Sequence, residues 1–354
     1  MAHDIFLRMA LEEAKLGSGL CAPNPSVGAV AVKDNKVLAT GFHQGPGKAH
    51  AEQMVLEKLP KGISGVTLYV TLEPCNHWGK TPPCVAALIK YGFKTVVYAF
   101  TDPNPIVIAN NTPKLLKQNN IEVIHHPLKE IDQFYASYWF YIKHKRPFIT
   151  AKIAVSLDGK IAPSTKTRIL LSNNAAKQFT HENRWTTDWI LTTAETITRD
   201  NPKFTARVKG NIRKKKIAIL DRKLRLQPNA AIFTTAEKII IFHDAKQKVN
   251  KAHPNCEYIP INVENAYLAL DAIFTALVKT GAHDIWVEAG GNLFTQLHLK
   301  GLVNRTHLYL CPKVLGPDAL GGYQDNAVFQ RQHSVSWRIL DDNVVLTLDW
   351  EMGK

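Results

Sequence analysis

Leu72-Glu73-Pro74-Cys75-Asn76-His77-Trp78-Gly79-Lys80-Thr81-Pro82-Pro83-Cys84 is the stretch on which the reading of this chain turns, because its two cysteines find a partner upstream in His50-Ala51-Glu52. Hydrolysis at a zinc ion needs three protein ligands and one open position at which water is made acidic. His50, Cys75 and Cys84 supply that set. Expelling ammonia also needs a proton relay that is not itself a ligand, and Glu52 stands where it reaches the water while the histidine holds the metal. A His-x-acid pair is weak alone: with 14 histidines and 30 acids, about one arises by chance. The cysteines decide the matter. Cys75 directly follows a predicted strand, and Cys84 follows Pro82-Pro83 at the start of a predicted helix. Both thiols are therefore expected near helix N-termini, where the backbone dipole favours the thiolate. A purely structural zinc usually takes four ligands. The nearest fourth candidate, His77, is too close to Cys75 for an easy fit.

Outward from this stretch, apolar spacing predicts a helix over residues 5–16, closed by Gly17-Ser18-Gly19. Two β runs, 27–32 and 37–42, flank a polar turn and read as a hairpin. Helices at 49–59, 84–91 and 114–118 then alternate with strands at 66–70, 94–100 and 121–124, which describes an α/β layer sandwich. Residues 131–145 are aromatic-rich and then basic, ending at Lys145-Arg146-Pro147, where the domain boundary is placed. The domains are thus 1–146 and 147–354. The second series has strands at 148–155, 189–191, 216–220, 238–242, 285–287 and 306–310. Helices are predicted at 174–184, 266–279 and from 293 onward. That order suits a second α/β domain on a mostly parallel sheet.

A chain of 354 residues suits two domains of ordinary size. No uninterrupted apolar run approaches membrane-spanning length, so no membrane association is expected. The N-terminus lacks a basic segment followed by an apolar one, which points to the cytoplasm. Five cysteines are too few for a disulfide scaffold and suggest thiols or metal ligands. The net charge of +14 suits a phosphorylated small molecule or a dinucleotide as well as nucleic acid. Without a basic tail or an RNA-binding aromatic signature, nucleic acid binding is not expected as the main function.

His50-Ala51-Glu52 with Pro74-Cys75 and Cys84 resembles the cytidine-deaminase superfamily. The eight residues between the cysteines are longer than the usual two. That insert is similar to the deaminase half of the bifunctional riboflavin-biosynthesis deaminase/reductases. So are Ala22-Pro23-Asn24-Pro25-Ser26-Val27-Gly28, Gly41-Phe42-His43 and Thr101-Asp102-Pro103-Asn104-Pro105. The second half continues the resemblance through Ala151-Lys152, Ser156-Leu157-Asp158-Gly159-Lys160, Asp200-Asn201-Pro202 and Val287-Glu288-Ala289-Gly290-Gly291-Asn292-Leu293.

The resemblance implies a cytidine-deaminase-like three-layer α/β/α domain followed by a dihydrofolate-reductase-like α/β domain. The first would deaminate a diaminopyrimidinone ribotide, with Asn24 and His43 near the base and Lys80, Asp102 and Asn104 holding the ribose phosphate. The second would bind NADPH and reduce the ribose to a ribityl chain. There Arg184 and Arg207 would meet the phosphate, Glu288 the substrate, and Ala154, Thr196 and Asp200 the cofactor, with Lys152 assisting ring opening. Gly290-Gly291, between a strand and a helix, would let a pyrophosphate approach the helix N-terminus. A homodimer is the family expectation.

Some positions depart from the family pattern. Arg168 replaces a substrate serine, Leu170 a cofactor-packing tryptophan, Lys203 an apolar residue, and Arg222 a serine. Asn110 and Asn111 stand in a turn usually rich in glycine, and asparagine tolerates the left-handed conformation. Two rival readings stay open: a deaminase whose second domain no longer reduces, and a nucleic-acid-binding or editing deaminase.

Overall fold

The computed structural model describes residues 2–60, 62–78, 82–165 and 169–351. Lys80 and Arg168, both singled out above, lie outside them. The chain forms two compact units, Met1–Arg146 and Pro147–Lys354.

The first unit runs α1 (Ala2–Gly17), β1 (Gly28–Lys33), β2 (Lys36–Phe42), α2 (Ala51–Lys58), β3 (Thr67–Leu72) and α3 (Cys84–Tyr91). It continues with β4 (Thr95–Phe100), α4 (Pro105–Asn110), α5 (Thr112–Gln118), β5 (Glu122–His125), α6 (Lys129–Phe134) and α7 (Ala136–His144). Its sheet has the order β2-β1-β3-β4-β5. β1 is antiparallel to both neighbours, while β3, β4 and β5 are parallel. Strand alternation sends Ala29 and Ala31 to one face, against Val55, Leu88 and Leu116 of α2, α3 and α5. Val30 and Val32 go to the other face, against Leu7, Leu11, Ile131 and Tyr138. Both faces of the sheet are covered, which makes three layers. Gly28 allows the closest approach: a Cβ there would stand 2.0 Å from the Ala10 carbonyl oxygen of α1.

Two features differ from the sequence expectation. Residues 131–145, read only as an approach to a boundary, fold as α6 and α7 of the first unit, with Tyr135 and Tyr138 buried. α4 was not anticipated; it begins after Asn104, whose side chain accepts from Ile106 N and caps it. Asn111 takes φ 45° between α4 and α5, the left-handed geometry a glycine would otherwise supply.

The second unit begins with β6 (Phe148–Ser156), β7 (Lys160–Ala162), α8 (Asn174–Thr186), β8 (Trp189–Thr193), α9 (Ala194–Asp200), β9 (Ala206–Val208) and β10 (Asn211–Arg213). Next come β11 (Lys216–Leu220), α10 (Ile232–Thr235), β12 (Lys238–Asp244), β13 (Cys256–Ile261), β14 (Val263–Glu264) and β15 (Tyr267–Leu268). It ends with α11 (Leu270–Lys279), β16 (Asp284–Glu288), α12 (Gly291–Leu299), β17 (Arg305–Cys311), β18 (Leu320–Gly321), β19 (His333–Leu340) and β20 (Asn343–Trp350). Nine strands form one sheet in the order β13-β12-β11-β8-β16-β6-β17-β20-β19. It is parallel from β13 to β17 and antiparallel through β20 and β19. The buried aliphatic runs of β6, β8, β11, β12 and β16 are what a parallel sheet covered on both faces requires.

The helix expected from residue 266 starts only at Leu270. Asn265 and Ala266 both have positive φ (47° and 68°) and turn a hairpin between β14 and β15, the backbone geometry of a two-residue β-turn. Among the described residues no helix is long and apolar enough to cross a membrane.

Candidate active sites

In the first unit, β3 delivers Cys75, the N-terminus of α3 delivers Cys84, and His50 sits at the N-cap of α2. His50 Nδ1 lies 3.2 Å from Cys84 Sγ and 3.5 Å from Cys75 Sγ. One ligand atom from each of the three falls within 4.8 Å of the others. Atoms 2.0–2.3 Å from one tetrahedral zinc stand about 3.5 Å apart, so this donor set fits zinc. Among the described residues His77 is not part of the group.

The electrostatics favour a thiolate at Cys75. Cys84 N, at the first turn of α3, donates to Cys75 Sγ at 3.4 Å. The Cys84 thiol hydrogen bond, opposed by burial and assisted by His50, pulls the Cys75 thiol down to about 4. The Cys75 hydrogen bond and burial push the Cys84 thiol up. Glu52, in the first turn of α2, is buried, and that burial raises its pKa, with the charge on Cys75 adding to it.

A cavity of about 260 Å³ is lined by His50, Glu52 and Cys75 together with Asn24, His43, Asp102 and Asn104. His43 Nδ1 donates to the Ala49 carbonyl at 3.1 Å, and its Nε2 accepts from Asn24 Nδ2 at 3.2 Å. Nε2, as an acceptor, leaves the ring neutral; burial lowers its pKa, and the Ala49 hydrogen bond opposes that shift. Of the predicted first-unit site residues, Asn24, His43, His50, Glu52, Cys75, Asp102 and Asn104 face the same cavity; Cys84 lies buried behind it, and Lys80 is not described. Glu73, Tyr138 and Ile142 also line it and were missed. Glu73 stood inside the quoted motif and was legible there. Tyr138 and Ile142 gave no signal, since an aromatic or aliphatic residue on an amphipathic helix reads as core.

In the second unit Glu288 at the end of β16 pairs in register with Lys152 of β6. Arg184 from α8 grips both oxygens of Glu288, Nε to Oε1 at 2.5 Å and Nη2 to Oε2 at 2.8 Å. Trp286 Nε1 adds a bond to Oε1 at 2.7 Å. Burial works against the Glu288 charge, but Arg184, Lys152 and these hydrogen bonds outweigh it and hold the carboxyl down to about 2. Burial lowers the Lys152 pKa, with Glu288 opposing; its Nζ lies 5.0 Å from the Tyr309 ring centre.

Of the remaining second-unit candidates, Asp200 acts on Lys152, and Arg207 shares His181 with Arg184 and Glu288. Arg207 on β9 is exposed and donates to His181 Nε2 at 2.8 and 3.1 Å. Thr196 N caps onto Thr193 Oγ1, Asp200 closes α9, and Ala154 is half-buried on β6. The two glycines divide. A Cβ on Gly290, the N-cap of α12, would meet nothing within 4 Å, whereas one on Gly291 would stand 2.7 Å from the Gly322 carbonyl oxygen. Gly291 thus serves the approach of the chain's own backbone, and Gly290 leaves open space at the helix N-terminus. Open space before a nine-residue helix at the carboxyl end of a parallel strand fits a pyrophosphate-bearing cofactor. Of the departures, Leu170 is 70% exposed and Arg222 donates to the Ala266 carbonyl at 2.5 Å.

Fold and site define the class: a zinc-dependent deaminase domain followed by an NADPH-dependent reductase domain. Residues 1–100 match the cytidine and deoxycytidylate deaminase zinc-binding region, and residues 147–346 the RibD C-terminal domain. The riboflavin biosynthesis protein RibD of Aquifex aeolicus is 32% identical over 320 residues, covering 88% of this chain and 87% of that protein. The solved Thermotoga maritima diaminohydroxyphosphoribosylaminopyrimidine deaminase/5-amino-6-(5-phosphoribosylamino)uracil reductase superposes with a TM-score of 0.86 at 31% identity, covering 99% of both chains. Acinetobacter baumannii RibD superposes with a TM-score of 0.85 at 29% identity, again over 99% of both chains. The chain belongs to the RibD family of riboflavin-biosynthesis deaminase/reductases.

Proposed function

We propose that this enzyme deaminates 2,5-diamino-6-(5-phosphoribosylamino)pyrimidin-4(3H)-one in its first unit and reduces the ribosyl chain of the product in its second. The observation that carries the reading is the His50–Cys75–Cys84 group, whose His50 and Cys75 open with buried Glu52 onto one cavity. When bound, zinc supplies a Lewis acid that makes a water molecule acidic. Glu52 takes a proton from that water and hands it to the departing amine, a relay favoured by a carboxyl whose burial already raises its proton affinity. His43, fixed as a neutral ring, and Asn24 orient the base. Asp102, Asn104 and Lys80 take the ribose-phosphate arm.

In the second unit NADPH, when bound, supplies the hydride. Ala154, Thr196, Asp200 and the amides beyond Gly290 and Gly291 form its bed. Lys152, buried against Glu288, holds the proton needed as the sugar ring opens. Arg207 and Arg184 face the phosphate, Arg184 also fixing Glu288 toward the substrate. The +14 charge suits a phosphorylated substrate. The protein works in the cytoplasm as a homodimer; edge strand β19, with Val335, Trp337 and Ile339 exposed, supports self-association.

The test is ammonia release and NADPH oxidation followed together on the zinc-loaded protein with the diaminopyrimidinone ribotide. Equal amounts of each support the reading. Ammonia without oxidation removes the reductase, and neither removes the substrate assignment.

A further inference from the structure

α7 enters the deaminase cavity from outside the zinc-binding region, and its contacts there are polar and specific. Tyr135, Tyr138 and Ile142, spaced 3 and 4 residues apart, follow one helix face. Tyr135 points into the core: it donates to the Ser26 carbonyl at 2.8 Å and meets Thr71 Oγ1 at 2.7 Å. Tyr138 and Ile142 line the same cavity as Glu52 and Cys75.

The Tyr138 hydroxyl donates to Asp102 Oδ1 at 3.0 Å, and the Asn104 backbone N–H donates to that same oxygen at 2.9 Å. Tyr138 and Asp102 are each 5% exposed. Oδ2 takes neither of these bonds. A carboxylate buried at a cavity wall costs stability unless its acceptor sites are filled, and two donors converging on one oxygen fix the plane of the group. What completes such a carboxylate is a donor from the ligand. A phosphate cannot serve, being an acceptor of the same charge; a sugar hydroxyl can.

We propose that Tyr138 is a positioning residue of the deaminase site: by holding Oδ1 of Asp102 it aims Oδ2 at a hydroxyl of the substrate's sugar. This rests on the deaminase reading above. Asp102 discriminates for the hydroxyl-bearing sugar, and Tyr138 gives that discrimination its geometry. Burial raises the Tyr138 pKa, so the phenol remains a donor throughout the working pH range.

The test compares two substrates in the zinc-loaded full-length enzyme, the diaminopyrimidinone ribotide and its analogue lacking both sugar hydroxyls, by ammonia release. Wild-type enzyme is expected to show a KM for the ribotide at least tenfold lower than for the analogue. Tyr138→Phe raises the ribotide KM about tenfold, as loss of one charge-assisted hydrogen bond does, leaves kcat within about twofold, and leaves the analogue unchanged. Tyr135→Phe, on the same helix face, lowers the melting temperature and preserves the KM ratio. If Tyr138→Phe does not fold, Asp102→Asn provides the same comparison and must also collapse the ratio. A KM rise on both substrates alike, a loss confined to kcat, or an unchanged ratio overturns the proposal. Wild-type enzyme that releases no ammonia overturns the deaminase reading, and the proposal with it.

Discussion

Replacing Arg184 by methionine leaves Glu288 as a buried carboxylate that keeps Trp286 and Lys152 but loses the two N–H donors gripping both its oxygens. Both side chains are nearly inaccessible, 13% and 12% exposed. Breaking such a pair by removing one partner costs about 3–5 kcal/mol. The Glu288 carboxyl, held at about 2 instead of 4.5 by Arg184, Lys152 and Trp286 together, sets the scale for all three at about 3 kcal/mol at neutral pH. A domain of this size loses roughly 2–4 °C per kcal/mol, so calorimetry on the full-length protein should show the second unit melting about 6–20 °C lower. Because the folded pKa is depressed, the contribution is complete above pH 4.5 and disappears as pH falls toward 2. The wild-type advantage over Arg184→Met must therefore shrink across that window. Arg184→Met/Glu288→Leu, which removes both charges, should recover part of the loss. A drop below about 2 °C, or a double variant no better than the single one, would refute the argument.

The glycine pair offers a second check. Gly291→Ala places a methyl 2.7 Å from a carbonyl oxygen and should destabilise by about 1–3 kcal/mol, whereas Gly290→Ala should fold normally and be tested by NADPH titration. Protonation of His298 is opposed by burial, which holds its pKa to about 4, and its Nε2 accepts from Thr306 at 2.7 Å. Its folded pKa lies below the ordinary 6.5, so stability is full above pH 6.5 and falls as pH drops toward 4. His298→Gln should flatten that slope in urea melts.

The candidate metal group His50–Cys75–Cys84, with Glu52 beside it, was legible in the sequence because its chemistry restricts residue type: only a few side chains hold zinc, and their order survives any loop length. Most of the strands were legible as well, since buried parallel strands write themselves as apolar runs. β14 and β15 were not, because a two-residue turn built on Asn265 and Ala266 lacks the glycine that usually announces it. β19 and β20 were not read from the sequence; β20 buries Val345, Leu348 and Trp350, whereas the alternating Val335, Trp337 and Ile339 of edge strand β19 stay exposed. Tyr138 was illegible for a different reason. Its role exists only through a contact with Asp102, 36 residues away, and nothing in its own neighbourhood distinguishes it from a core aromatic.

The two sites act in series, deamination first. Glu52→Gln keeps the three zinc ligands and removes only the proton relay, whose loss should slow ammonia release about 10²–10⁴-fold. Given the diaminopyrimidinone ribotide and NADPH, this variant should oxidise almost no NADPH; given the already deaminated aminouracil ribotide, it should oxidise NADPH at the wild-type rate. Equal NADPH oxidation on both compounds, or none on the deaminated one, would contradict the account.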